Sequence, residues 1–75
     1  KFKQMGVRAG FPDLILLIPN KFYPFCGIEL KVKTGRQSES QKEYQKEFES
    51  IGAKYVIVRS LDEFIEVVTD YLKDV

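Results

Sequence analysis

A small α/β fold is what this sequence predicts: a mixed sheet built from an antiparallel hairpin and a parallel crossover strand, flanked by helices. Three observations predict it. Leu14-Ile15-Leu16-Leu17-Ile18 is an unbroken apolar run of strand length, and Ile28-Glu29-Leu30-Lys31-Val32 alternates apolar and charged residues strictly. A helical stretch opening at Ser38 then separates that second run from a third, β-rich one, Tyr55-Val56-Ile57-Val58. The first two runs are joined across Pro19 and Pro24 and read as a hairpin. The strand–helix–strand order that follows implies a right-handed parallel crossover.

Each element has its own justification along the chain. Lys1-Phe2-Lys3-Gln4-Met5 alternates weakly and reads as a short edge strand, and Gly6 to Pro12 reads as a loop with two glycines. Leu14 to Ile18 lacks polar alternation, which predicts a strand covered on both faces. Phe25 to Val32 returns as its partner, with Ile28, Leu30 and Val32 on one face and Glu29 and Lys31 on the other. Ser38-Glu39-Ser40-Gln41 matches a capping box, so a helix runs from there to Ser50 or Ile51, with Tyr44, Phe48 and Ile51 as its apolar stripe and Gly52 as its stop. Tyr55 to Val58 is a third, central strand. Asp62 or Ser60 caps a last helix whose stripe is Leu61, Phe64, Ile65, Val68, Tyr71 and Leu72.

Composition narrows the chemistry. At 75 residues the chain is one small domain of modest core, and 44% apolar with 31% charged residues is ordinary for a folded one. No apolar run approaches the roughly 20 residues needed to span a bilayer. A single cysteine, Cys26, excludes an internal disulfide and multi-cysteine metal cages, and its apolar setting suits a buried, inert thiol. There is no histidine. Any metal must then be held by oxygen, which favours Mg²⁺, Mn²⁺ or Ca²⁺ over zinc. Residues 1–36 carry seven Lys/Arg against two acids, and residues 37–75 five against nine. A basic half beside an acidic half suggests a polyanionic partner on one face.

The chemistry centres on three side chains. If Leu17 faces Phe25 in the hairpin, Asp13 faces Glu29, and two carboxylates directly opposed about 4.5–5.5 Å apart are destabilising unless something sits between them. A divalent cation fits that place, with the backbone carbonyl of Leu30 as a further oxygen ligand. Lys31 lies beside Glu29 on the same face. Such a cation polarises a phosphoryl oxygen and activates water, and a nearby lysine orients that water or stabilises developing charge. The set therefore points to phosphodiester hydrolysis. Singly the residues are blander: Asp13 after Pro12 reads as a turn residue, and Glu29 with Lys31 as a solvated strand face. Arg8, Lys33 and Arg36 are candidate phosphate contacts. Phe22, Tyr23 and Phe25 cluster at the turn, where aromatic rings either stack on unpaired bases or pack in an interface.

Pro12-Asp13 followed by Glu29-Leu30-Lys31 resembles the signature of the PD-(D/E)XK nucleases. Gly10-Phe11-Pro12-Asp13-Leu14, Ile28-Glu29-Leu30-Lys31-Val32 and Gly35-Arg36-Gln37-Ser38-Glu39-Ser40-Gln41 further resemble, in order and spacing, the three blocks of the virus-type replication-repair nuclease (VRR-NUC) domains. The resemblance implies a restriction-endonuclease-like fold and metal-dependent DNA cleavage with Mg²⁺ or Mn²⁺. It implies Asp13 and Glu29 as metal ligands, Lys31 as the catalytic lysine, and Gln41 as a polar residue helping from the helix. Stand-alone members resemble phage proteins acting as dimers on branched DNA such as four-way junctions, which implies an intracellular, cytoplasmic setting in a phage or bacterial host. A homodimer is expected also because a small sheet has edges to cover. The family carries an N-terminal helix whose acid completes the site. No acid precedes Asp13 here, so residues 1–75 form a single domain in which that helix is either outside these residues or lost. The alternatives to a nuclease are a catalytically incomplete DNA-binding module of the same fold, or a pure interaction domain.

Overall fold

Short apolar runs separated by proline and glycine turns assemble here into one sheet between two helices. The computed structural model describes the backbone of residues 2–4 and all of residues 10–75. Six elements follow in order: β1 (Phe2–Gln4), β2 (Leu14–Leu16), β3 (Cys26–Leu30), α1 (Glu39–Ser50), β4 (Lys54–Val58) and α2 (Leu61–Lys73). The four strands lie in the order β1-β2-β3-β4. β1 runs antiparallel to β2, β2 antiparallel to β3, and β3 parallel to β4. The hairpin pairs Leu14 with Ile28, Ile15 with Gly27 and Leu16 with Cys26, which is the expected register. The mixed architecture is as the sequence predicts. Among the described residues no helix is long and apolar enough to cross a membrane.

Strand alternation sends side chains to two separate cores. On one face Leu16, Cys26, Ile28 and Val58 pack under α2 through Tyr71, with Phe64, Val67 and Val68 alongside. On the other, Ile15, Tyr55 and Ala53 pack under Phe48 of α1, joined by Phe11, Phe25 and Tyr44. Phe48 meets Phe11, Phe25 and Tyr55 edge-to-face at centroid distances of 5.8, 5.4 and 5.6 Å, an arrangement aromatic quadrupoles favour.

The helix ends behave as their capping residues dictate. Ser38 Oγ accepts from the Gln41 backbone N–H and Gln41 Oε1 accepts from the Ser38 N–H, completing the capping box. Gly52, at φ +82°, turns the chain out of α1, a left-handed conformation that costs glycine nothing. Ser60, not Asp62, caps α2 through the Glu63 N–H. At the other end of α2, Tyr71 donates its hydroxyl to the Ile18 carbonyl at 2.6 Å, and Asn20 donates Nδ2 to the Tyr71 carbonyl at 3.1 Å. These bonds tie the β2–β3 turn to the helix. Tyr71→Phe is expected to lower stability by about 1 kcal/mol, read as a lower urea midpoint at unchanged slope.

Several expectations are corrected. β3 ends at Leu30, and Leu30 and Val32 are 48% and 73% exposed. The apolar face of that strand is therefore sealed under α2 at Cys26 and Ile28 and open beyond. β2 stops at Leu16 and leaves Leu17 exposed. β4 lies at an edge of the sheet, not its centre. Ile51 is the α1 C-cap and points to solvent, because the chain leaves helical geometry there. Leu61, Ile65 and Leu72 of α2 are exposed, since the sheet engages the helix through Phe64, Val67 and Tyr71. Of the turn aromatics, Phe25 joins the α1 core and Tyr23 stacks on Tyr71 with Lys54 over its ring, so Phe22 alone is exposed.

Candidate functional site

The register of β2 against β3 is what builds the site. One step beyond the Leu14–Ile28 pair, Asp13 stands opposite Glu29 at the mouth of the hairpin. Asp13 Oδ2 accepts the backbone N–H of Leu30 at 2.9 Å. This bond fixes the carboxylate against β3. In a strand the N–H and C=O of one residue point the same way, so the Leu30 carbonyl shares that edge with Asp13.

Glu29 is not on a solvated face: only 5% of it is exposed. It projects under the N-terminal turn of α1, where Gln41 Nε2 donates to its Oε2 at 2.8 Å. Gln41 thus serves two partners at once, its Oε1 completing the helix cap and its Nε2 holding the carboxylate. The other oxygen, Glu29 Oε1, is buried with no hydrogen-bond partner among the described residues. Burial above all, and then the neighbouring Asp13, push the Glu29 carboxyl up to about 7, against a downward pull from the Lys31 ammonium. Lys31 is half-buried just past β3, its backbone N–H bonded to the Val58 carbonyl at 3.0 Å.

Two glycines make this arrangement possible. Gly10 has φ +88°, and a Cβ there would fall 2.5–2.8 Å from backbone atoms of Ser40 and Gln41. The loop before Asp13 therefore touches the first turn of α1 directly. A Cβ at Gly27 would fall 2.6 Å from the Phe48 ring and 2.9 Å from Pro12. Only glycine lets Pro12, and hence Asp13, lie against β3.

Tyr55 completes the surroundings. It is 6% exposed, its ring edge-to-face with Phe48, and its hydroxyl makes no hydrogen bond among the described residues. Gln37 lies beside that hydroxyl outside hydrogen-bond geometry, donating Nε2 instead to Gln45 Oε1 at 2.8 Å. Burial first, then the negative charge of Glu29, push Tyr55 up to about 12. The Cys26 thiol lies on the opposite face, and burial pushes it up to about 11. A thiol so rarely ionised is unreactive.

Asp13, Glu29, Leu30, Lys31 and Gln41 are thus brought to one place. Lys33 and Arg36 lie exposed on the loop leaving β3, and Arg8 lies outside the described residues. Arg59 Nη1 donates to the Val32 carbonyl at 3.0 Å and also to the Gly35 carbonyl, pinning that loop to the end of β4. Tyr55, Gln37 and the contacts of Gly10 and Gly27 are not evident in the sequence. Parity along Tyr55–Val58 would have found Tyr55 once the parallel register to β3 was known.

Two carboxylates, one of them with a buried, unpartnered oxygen, and a strand carbonyl suit a hard divalent cation, which takes oxygen ligands and needs neither thiol nor imidazole. Among the described residues no group of three or more His, Cys, Asp or Glu side chains is placed to hold a metal. Residues outside the side-chain pair would complete the shell.

The model of the VRR-NUC domain family matches residues 1–62 of the chain. A solved structure described as a VRR_NUC domain protein is 34% identical and superposes with a TM-score of 0.84, over 93% of this chain and 58% of the other. The chain therefore spans little more than half the length of that protein. No curated protein matches it.

Proposed function

This chain belongs to the VRR-NUC family and has its nuclease-type fold, and from that premise we propose that it is a metal-dependent DNA endonuclease acting on branched DNA. The observation that carries the reading is the opposition of Asp13 and Glu29 across the hairpin, with Glu29 Oε1 buried and unpartnered. Asp13, Glu29 and the Leu30 carbonyl would hold Mg²⁺ or Mn²⁺. Bound there, the ion supplies positive charge that polarises a phosphoryl oxygen and lowers the pKa of water.

The chain's own residues do the rest. Gln41 fixes one Glu29 oxygen, which would leave the other for the cation. Lys31, close enough to lower the proton affinity of Glu29, orients the attacking water and offsets charge developing on the phosphate. Lys33 and Arg36, exposed beyond β3, neutralise flanking phosphates, and Arg8 joins them. A second copy of the chain covers the sheet edges in a homodimer.

The test is cleavage of a four-way junction, a flap and linear duplex with and without Mg²⁺. Asp13→Asn and Lys31→Ala are each expected to reduce cleavage by at least about 10²-fold while leaving the thermal midpoint within a few degrees. Cleavage that neither substitution alters overturns the assignment. That the described residues bring only two acidic side chains to the site favours one other reading, a DNA-binding module without catalysis. It predicts salt-dependent binding to DNA and no cleavage with any divalent ion.

A further inference from the structure

Glu29 Oε1 and Tyr55 Oη are both buried without a hydrogen-bond partner among the described residues. With Glu29 ionised, one is an acceptor and the other a donor. Tyr55 pairs with Gly27 and Ile57 with Glu29 in the parallel register of β3 and β4. Tyr55 and Glu29 therefore project from the same face of the sheet, on adjacent strands and two residues apart. Such diagonal neighbours are within reach of a long side chain. The Phe48 ring and Pro12 fill the space over Gly27, the register partner of Tyr55, and Phe48 packs against the Tyr55 ring at a centroid distance of 5.6 Å. That packing holds the ring in place. Leaving both atoms unmatched is costly for a buried donor and a buried acceptor. One water bonded to both, with the Gln37 side chain as its third partner, would satisfy them in the way buried waters ordinarily do.

We propose that Tyr55 is a positioning residue for the cation site, its hydroxyl directing Glu29 Oε1 through a single buried water. The proposal rests on the reading that Asp13 and Glu29 hold a divalent cation. Tyr55 touches neither substrate nor ion. It restrains the free oxygen of Glu29 while Gln41 restrains the other, so the carboxylate meets the cation already oriented. An unrestrained carboxylate must be ordered when the ion binds, and affinity falls accordingly.

Tyr55→Phe isolates the hydroxyl, since it keeps the ring against Phe48. Titration of Mn²⁺ into the metal-free chain by calorimetry is expected to show about tenfold weaker binding in Tyr55→Phe than in the wild type. The metal-free thermal midpoint should fall by the several degrees that loss of one buried hydrogen bond brings, so the affinity is read where the variant is still folded. A purely structural role would move the midpoint and leave the Mn²⁺ affinity of the folded protein alone. Equal Mn²⁺ affinity in the two proteins overturns the role of Tyr55 while leaving the cation site standing. Absence of Mn²⁺ binding in the wild type, matched by Glu29→Gln, overturns the cation site and Tyr55's role with it. A reading independent of any variant is the Tyr55 hydroxyl proton in the metal-free protein. A slowly exchanging resonance with a cross-peak to bound water supports the bridge, and rapid exchange overturns it.

Discussion

Glu29→Gln is expected to stabilise the metal-free protein at pH 8 while removing its capacity for cleavage. The carboxyl of Glu29 is pushed up to about 7 by burial and by Asp13, against an unfolded-state value near 4.3. A raised carboxyl pKa means that the folded chain binds a proton more tightly than the unfolded chain does. The favourable contribution is fully present below the unfolded pKa and is lost as pH rises through the folded one. Between about pH 4.5 and 7 the wild type therefore loses stability from this residue, by about 2–3 kcal/mol at the top of the window. Glutamine carries no charge and loses nothing there. Its amide oxygen still accepts from Gln41 Nε2, and its amide nitrogen can donate toward Asp13. For a chain of this length 1 kcal/mol moves the midpoint by roughly 4–8 °C. Thermal melts in chelator at pH 5 and pH 8 check this. The gap between variant and wild type should widen toward pH 8, and a gap that narrows contradicts the assignment. With a divalent ion present the order reverses, because binding to the folded wild type adds stability that the variant lacks.

The same residue shows what was legible in the sequence. The pairing of Asp13 with Glu29 followed from an uninterrupted apolar run, a proline-bounded turn and an alternating return strand, and the observed register agrees. The capping box and Gly52 marked both ends of α1 because they act locally, through hydrogen bonds and a left-handed turn. The burial of Glu29 was not legible. Alternation says that two faces of a strand differ, but not which one a helix will cover. Here α1 closes over the charged face near its N-terminus, while α2 seals the apolar face only as far as Ile28. Gln41 shows the same limit, since its fit to the capping box explained its position without revealing the bond to Glu29. The apolar stripe of α2 was too generous for a similar reason. Helical periodicity identifies residues able to pack, and the width of the sheet decides how many do.

Gly10→Ala is the substitution expected to do most damage from outside the carboxylate pair. The backbone at Gly10 has φ +88°, a conformation that alanine reaches only at a cost of about 1 kcal/mol. The added Cβ would lie 2.5 Å from the Ser40 carbonyl carbon, 2.6 Å from its oxygen and 2.8 Å from the Gln41 nitrogen. These are backbone atoms in the first turn of a capped helix, so no flexible side chain can move aside. Relief requires either the loop or the start of α1 to shift, and overpacking of this kind typically costs a further 1–3 kcal/mol. A total near 3 kcal/mol is a large share of the stability expected of a 75-residue chain, which is about 4–11 kcal/mol. The shift also has a direction. Moving the Gln41 backbone draws its side chain off Glu29, and moving the loop draws Asp13 off the Leu30 N–H. The variant should therefore unfold at a lower urea concentration and, under conditions where it is still folded, lose both cleavage and Mn²⁺ binding. Gly52→Ala provides the contrast. Its φ is similarly positive at +82°, yet a Cβ there meets nothing within 4 Å, so it should show the backbone cost alone and keep the site intact. A Gly10→Ala protein no less stable than Gly52→Ala, and equally active, would show that the loop and helix do not meet as closely as the geometry requires.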